Sequence, residues 1–132
     1  MQENHLFEYA IIRVVPRVER EEFLNVGVII YCKQQKFLKT VFSLNESRLL
    51  SIFPNIEITE IKSHLKAFEQ IAKGDKDAGP IATLDLASRF RWLTAKRSTV
   101  LQTSAVHPGL SKNAEETLMQ LLEKLVLVNG QL

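Results

Sequence analysis

The chain reads as an α+β domain: an antiparallel sheet of about four strands, with helices packed on one face. Three observations predict it. Two apolar runs, residues 7–15 and 23–32, lie either side of a charged connection and are rich in β-branched and aromatic residues, the composition that suits a pleated, half-buried surface. A third run, residues 37–44, alternates apolar and polar side chains behind the short polar link 33–36. The remaining apolar residues recur at helical spacing between cap-forming residues.

The first two runs pair as an antiparallel hairpin with its loop over residues 16–22. Alternation puts Phe7, Tyr9, Ile11 and Arg13 on one face and Ala10, Ile12 and Val14 on the other. In the second run Phe23, Asn25, Gly27, Ile29 and Tyr31 share a face, opposite Leu24, Val26, Val28, Ile30 and Cys32. With this register Arg13 lies across from Asn25, and Ile11 across from Gly27. Glycine has no side chain, so the pairing predicts a gap beside an arginine and an amide. The plain alternative is that Arg13, close to the end of its strand, pairs with one of the loop carboxylates Glu19, Glu21 or Glu22.

The third strand, with Leu38, Thr40, Phe42 and Leu44 on one face, completes a meander. Asn45 is placed as the N-cap of a helix over residues 46–53, stopped by Pro54. A longer helix over 59–73 follows, with Ile58, Ile61, Leu65, Phe68, Ile71 and Ala72 on its apolar stripe. Glu69 and Lys73 form an i,i+4 pair on its outer side, and Gly74 sits at the C-terminal stop. Residues 75–80 read as a loop and 84–93 as a short helix with Leu86, Phe90 and Leu93 inward. Residues 98–104 alternate and predict the fourth strand, and His107-Pro-Gly-Leu predicts a turn. Asn113 with Glu116 three residues on matches a capping box. It opens a last helix to about Val126, with Leu118, Leu121, Leu122, Leu125 and Val126 buried.

Length and composition place limits on function. A chain of 132 residues suits one domain, residues 1–132, with its own core. A net charge of +2 is too small to imply nucleic acid or an anionic membrane by itself. The apolar runs are strand-length, short of the roughly 20 residues a bilayer crossing requires, and no signal region opens the chain, so no membrane association and a cytoplasmic location are expected. Cys32 is the one cysteine and lies in an apolar run, so a buried thiol is expected. The five glycines are scattered, with no phosphate loop. His5, His64 and His107 lack metal-ligand spacing, and His64 falls among lysines on a helix surface. No cofactor is implied.

One basic cluster stands out. Residues 89–99, Arg-Phe-Arg-Trp-Leu-Thr-Ala-Lys-Arg-Ser-Thr, interleave cations with aromatics and hydroxyls, groups that suit phosphate oxygens and bases. Phe90 and Trp92 are two apart, however, so on a helix they diverge and form no single stacking platform. Phe90 belongs in the core, and the plainer reading is a solvated basic face with Trp92 over the sheet edge. If the strand at 98–104 lies beside the first hairpin, Arg97 and Gln102 join Arg13 and Asn25 in one polar site. With Arg89 and Arg91, these six residues are the candidate anion site.

The hairpin sequence from Tyr9 to Cys32 resembles the signature of the bacterial domain-of-unknown-function family 3037 (DUF3037). Residues 78–81, Ala-Gly-Pro-Ile, and the stretch 97–110 resemble it too. The resemblance spans residues 7–126 and implies no established activity and no catalytic residues. It implies a glycine in many members where this chain has Glu21, and a proline where it has Lys96. It also implies an association with proteins of the HipA-like kinase class. The reading that follows is a small non-enzymatic interaction module with a protein partner. The second is an anion or nucleic-acid site on the six residues above; the third, an enzyme using Glu22 with Arg13 and Arg97.

Overall fold

In the computed structural model residues 3–127 are described. They form strands β1 (His5–Val14), β2 (Leu24–Cys32), β3 (Phe37–Phe42), β4 (Leu101–Thr103) and β5 (His107–Ser111), with helices α1 (Glu46–Ile52), α2 (Ile58–Lys73), α3 (Leu86–Leu93) and α4 (Ala114–Leu125). The fold is α+β, and every strand pairing is antiparallel. The sheet runs β3-β2-β1, and the far side of β1 is shared. β4 pairs with its C-terminal end from Ile12 to Val14, and β5 with its N-terminal half from His5 to Tyr9.

The two segments along β1 act as one broken edge. At the break the Ser104 hydroxyl accepts from the Ile11 amide at 2.9 Å and donates to the Ala105 carbonyl, while the Ser104 amide donates to the Ile11 carbonyl. The side chain thus satisfies a β1 donor where the ladder lapses. This region corrects two sequence expectations. The fourth strand covers only 101–103 of the expected 98–104, and the expected turn at His107 is the fifth strand. A proline is tolerated there because β5 lies at the sheet edge, where its missing N–H breaks no ladder.

The hairpin register holds at one end and slips at the other. Arg13 lies across from Asn25 as expected, but Gly27 pairs with Ile12, not Ile11. Val26 is the extra residue of a β-bulge, so the inward and outward sets of β2 exchange at that point. Leu24, Val26, Ile29 and Tyr31 consequently face one core, while Val28, Ile30 and Cys32 face the other. Gly27 is therefore on the opposite side of the sheet from Arg13, and its open space is filled by Phe42.

Helices cover both faces, where one was expected. α1, α2 and α3 pack with Ile12, Val14, Leu24, Val26 and Tyr31 through Leu49, Ile61, Leu65, Phe68, Phe90 and Leu93. α4 lies on the other side over β2 and β3, where Leu118 and Leu122 join Phe7, Val28, Ile30 and Cys32. The helix ends are set locally. Asn45 Oδ1 accepts from the Arg48 amide at 3.0 Å, and Asn113 Oδ1 from the Glu116 amide at 3.1 Å. Gly74 closes α2 at φ 72°, a left-handed turn that glycine adopts without cost.

The β1–β2 loop contains a one-turn 3-10 helix, Val18–Arg20, ended by Glu21 at φ 55° and ψ 21°. That conformation costs a side-chain-bearing residue roughly 1–2 kcal/mol. Glycine removes the clash but returns part of the gain as unfolded-chain entropy. Glu21→Gly is therefore expected to stabilise the fold by about 0.5–1 kcal/mol. Urea unfolding at constant slope checks it; an unchanged or lowered midpoint would remove the strain.

Candidate functional site

The back face of the sheet, the side that carries α4, is covered over only half its width by the described residues. Among the described residues α4 is the one helix on this side, and it lies along β2 and β3. Beyond Phe7, which is buried with Leu118 and Leu122 of α4, the odd-numbered residues of β1 from Tyr9 to Arg13 face outward with their partners. Tyr9 pairs with His107, and Arg13 lies between Asn25 of β2 and Gln102 of β4. Tyr9, Ile11, Arg13, Asn25 and Gln102 are each part-buried. Rings line this surface: His107 lies 5.4 Å from Tyr9 between centroids, and Tyr9 lies 6.1 Å from Phe7.

Arg13 is the unusual member of the row. Its guanidinium carbon stands 4.0 Å over the centre of the Phe23 ring, and Phe23 is 45% exposed. Among the described residues Arg13 makes no hydrogen bond or ion pair, and its Nε is buried without a partner. Burial pulls its pKa below the ordinary arginine value, yet an arginine remains protonated at any physiological pH. The expected loop partner is absent: two of the three loop carboxylates are taken by loop arginines, and Glu21 is exposed and makes no ion pair with Arg13. Glu19 binds Arg17 at 3.1 Å, and Glu22 binds Arg20 at 2.6 Å. Sequence proximity favoured Arg13, but arginines two residues from each glutamate reach it first.

The flanking amides are held in place. Asn25 Nδ2 donates to the Leu125 carbonyl at the end of α4 at 3.2 Å, and Gln102 Nε2 to the Thr99 carbonyl at 2.8 Å. Asn25 Oδ1 is buried without a partner. Of the six residues in the candidate anion site, Arg13, Asn25 and Gln102 therefore stand together in one row across three strands.

The other three do not join them. Arg89 donates to the Leu84 carbonyl at 2.5 Å and the Ala72 carbonyl at 3.3 Å, tying α3 to the end of α2. Arg91 grips Glu8 through both nitrogens at 3.1 Å, and this bond raises its pKa further. Arg97 donates to the Trp92 carbonyl and stacks 4.3 Å over the Trp92 ring. It lines a cavity of about 540 Å³ with His64, Ala67 and Phe68 of α2, on the front of the sheet. Trp92 thus packs beneath Arg97 and lines this cavity between α2 and Val100 and Leu101 at the β4 edge of the sheet.

The histidines are occupied in other ways. His5 bonds Gln34 at 2.9 Å, His64 lies on the surface 3.7 Å from Glu60, and His107 stacks on Tyr9. Cys32 is buried. Among the described residues no group of three or more His, Cys, Asp or Glu side chains is placed to hold a metal ion, and no helix is long and apolar enough to cross a membrane.

A family model described as "Protein of unknown function (DUF3037)" matches residues 9–126. The chain belongs to DUF3037. The matched span of this DUF3037 chain runs from the middle of β1 to the end of α4, so it includes the bulged hairpin, the broken edge and the whole Arg13 row. No curated protein and no solved structure matches the chain. The open half of the back face was not visible in the sequence, because the apolar stripe of α4 does not say which strands it covers. The Phe23–Arg13 stack did have a signal: Phe23 falls on the same side of its strand as Asn25.

Proposed function

We propose that this protein is a small non-enzymatic interaction module that binds a protein partner through the open half of its sheet. The observation that carries this reading is the surface itself, with rings at Tyr9, Phe23 and His107 and a part-buried cation at Arg13 that no described residue pairs with. Aromatic residues and arginine are the side chains that most often dominate protein interfaces. A phosphate backbone instead requires several free cations on one surface. Arg89, Arg91 and Arg97 are turned toward internal acceptors on the front, which supports a protein over a nucleic acid. An enzyme built on Glu22, Arg13 and Arg97 has less support still, since Glu22 is bound to Arg20 and the two arginines lie on opposite faces.

The family resemblance makes a HipA-like kinase the first partner to test. Co-expression of the full chain with such a kinase is expected to give a complex that survives gel filtration. Phe23→Ser is expected to weaken it by about tenfold or more. Leu110→Ser, at a 68% exposed residue of the opposite face, is expected to leave it unchanged. Loss at Leu110 with none at Phe23 would move the interface to the front, and failure to form any complex would remove this partner.

A further inference from the structure

We propose that the open half of the sheet recognises an acidic side chain, aspartate or glutamate, of a protein partner, with the Arg13 guanidinium as its counter-ion. The inference rests on the interaction-module reading and names the chemistry of its anchor. Three features of the row carry it. Arg13 is part-buried and carries a full charge, yet its Nε is unpartnered and no described residue of this chain neutralises it. A donor removed from water without a partner is costly, and a carboxylate brought by a second molecule would offset that cost at Nε.

The loop also holds two of its three acids away, and the third, Glu21, is exposed. Glu19 and Glu22 are each bound to an arginine of the loop, which leaves the Arg13 fork unclaimed. Finally, the guanidinium carbon stands 4.0 Å over the Phe23 ring, a contact that limits where the fork sits before a partner arrives. A planar fork held in place suits two parallel hydrogen bonds to a carboxylate. Its neighbours across the strands, Asn25 and Gln102, are neutral amides that donate to main-chain carbonyls. Arg13 is the cation of the row itself, which matches a single carboxylate. Arg48 and Lys124 line a neighbouring cavity with Phe23 and Asn25, and binding that required those two as well would point to a phosphoryl group instead.

The test uses the full chain and a synthetic array of short peptides with amidated C-termini, so that side chains supply every carboxylate. Bound peptides are expected to share one Asp or Glu position. Replacing that Glu by Gln is expected to weaken binding by about 10- to 100-fold. Arg13→Gln is expected to weaken the acidic peptide as much and to abolish the difference between the Glu and Gln peptides. Arg13→Lys, which keeps the charge but loses the stacked fork, is expected to restore only part of it. Thermal unfolding of both variants separates lost binding from lost folding.

Bound peptides with no shared acidic position, or a Glu-to-Gln difference that persists in Arg13→Gln, would overturn the acidic anchor. An array with no binder beside an intact kinase complex would overturn the anchor and leave the module. No binder and no complex would overturn both.

Discussion

Phe90→Ala is expected to destabilise the fold by about 3–5 kcal/mol, the largest effect of any single truncation considered. Phe90 is fully buried on α3, and its ring lies 5.4 Å from that of Tyr31 on β2. Removing it deletes the transfer term, leaves a cavity in close-packed surroundings and ends an aromatic pair that joins helix to sheet. A domain of this size has about 5–15 kcal/mol of total stability, so much of the reserve goes. Urea unfolding should show the midpoint falling with little change in slope. Trp92→Ala, two residues on and 40% exposed, is the matched comparison and should cost distinctly less. Equal losses would mean that α3 is rotated about its axis.

Gly27→Ala is expected to cost about 2–3 kcal/mol. A Cβ at that position would come within 2.6 Å of Phe42 Cδ1 and within 2.6 Å of the Val41 carbonyl oxygen. The ring can give way; the carbonyl belongs to β3 and is fixed by the ladder. Shortening the ring in a Gly27→Ala/Phe42→Leu pair should therefore recover part of the loss and leave the backbone share. Full recovery would assign the whole clash to the ring, and a stable single variant would mean that β3 is free to shift.

What could be read from the sequence divides along the range of the interaction. Asn45, Gly74 and Asn113 mark their helix ends correctly, because a cap bonds to a backbone group three or four residues away. The Arg13–Asn25 pairing was legible for a similar reason: the loop between the strands is short. The bulge at Val26 was not, because only the packing of Phe42 and α4 on opposite faces decides which residue is extra. Pro108-Gly109 carries a strong local turn signal, and it yields to pairing with Glu8 and Phe7, a preference set by a strand far away in sequence. The basic cluster misled by proximity: Arg89 and Arg91 are two residues apart, so on a helix they point to opposite sides, and Arg97 lies beyond the helix. Each therefore met a different acceptor.

The broken edge along β1 bears on how the molecule is assembled. Ile11 bonds Ser104, 93 residues further along the chain, so the strand nearest the start of the sequence waits for one of its two neighbours until most of the chain exists. Ring closure over such a span is a slow step. Until it occurs, one flank of β1 stays open to the wrong strand, including that of a sister molecule. The placement of His5–Val14 at the centre of the sheet thus makes this long-range closing contact the one that guards against clumping.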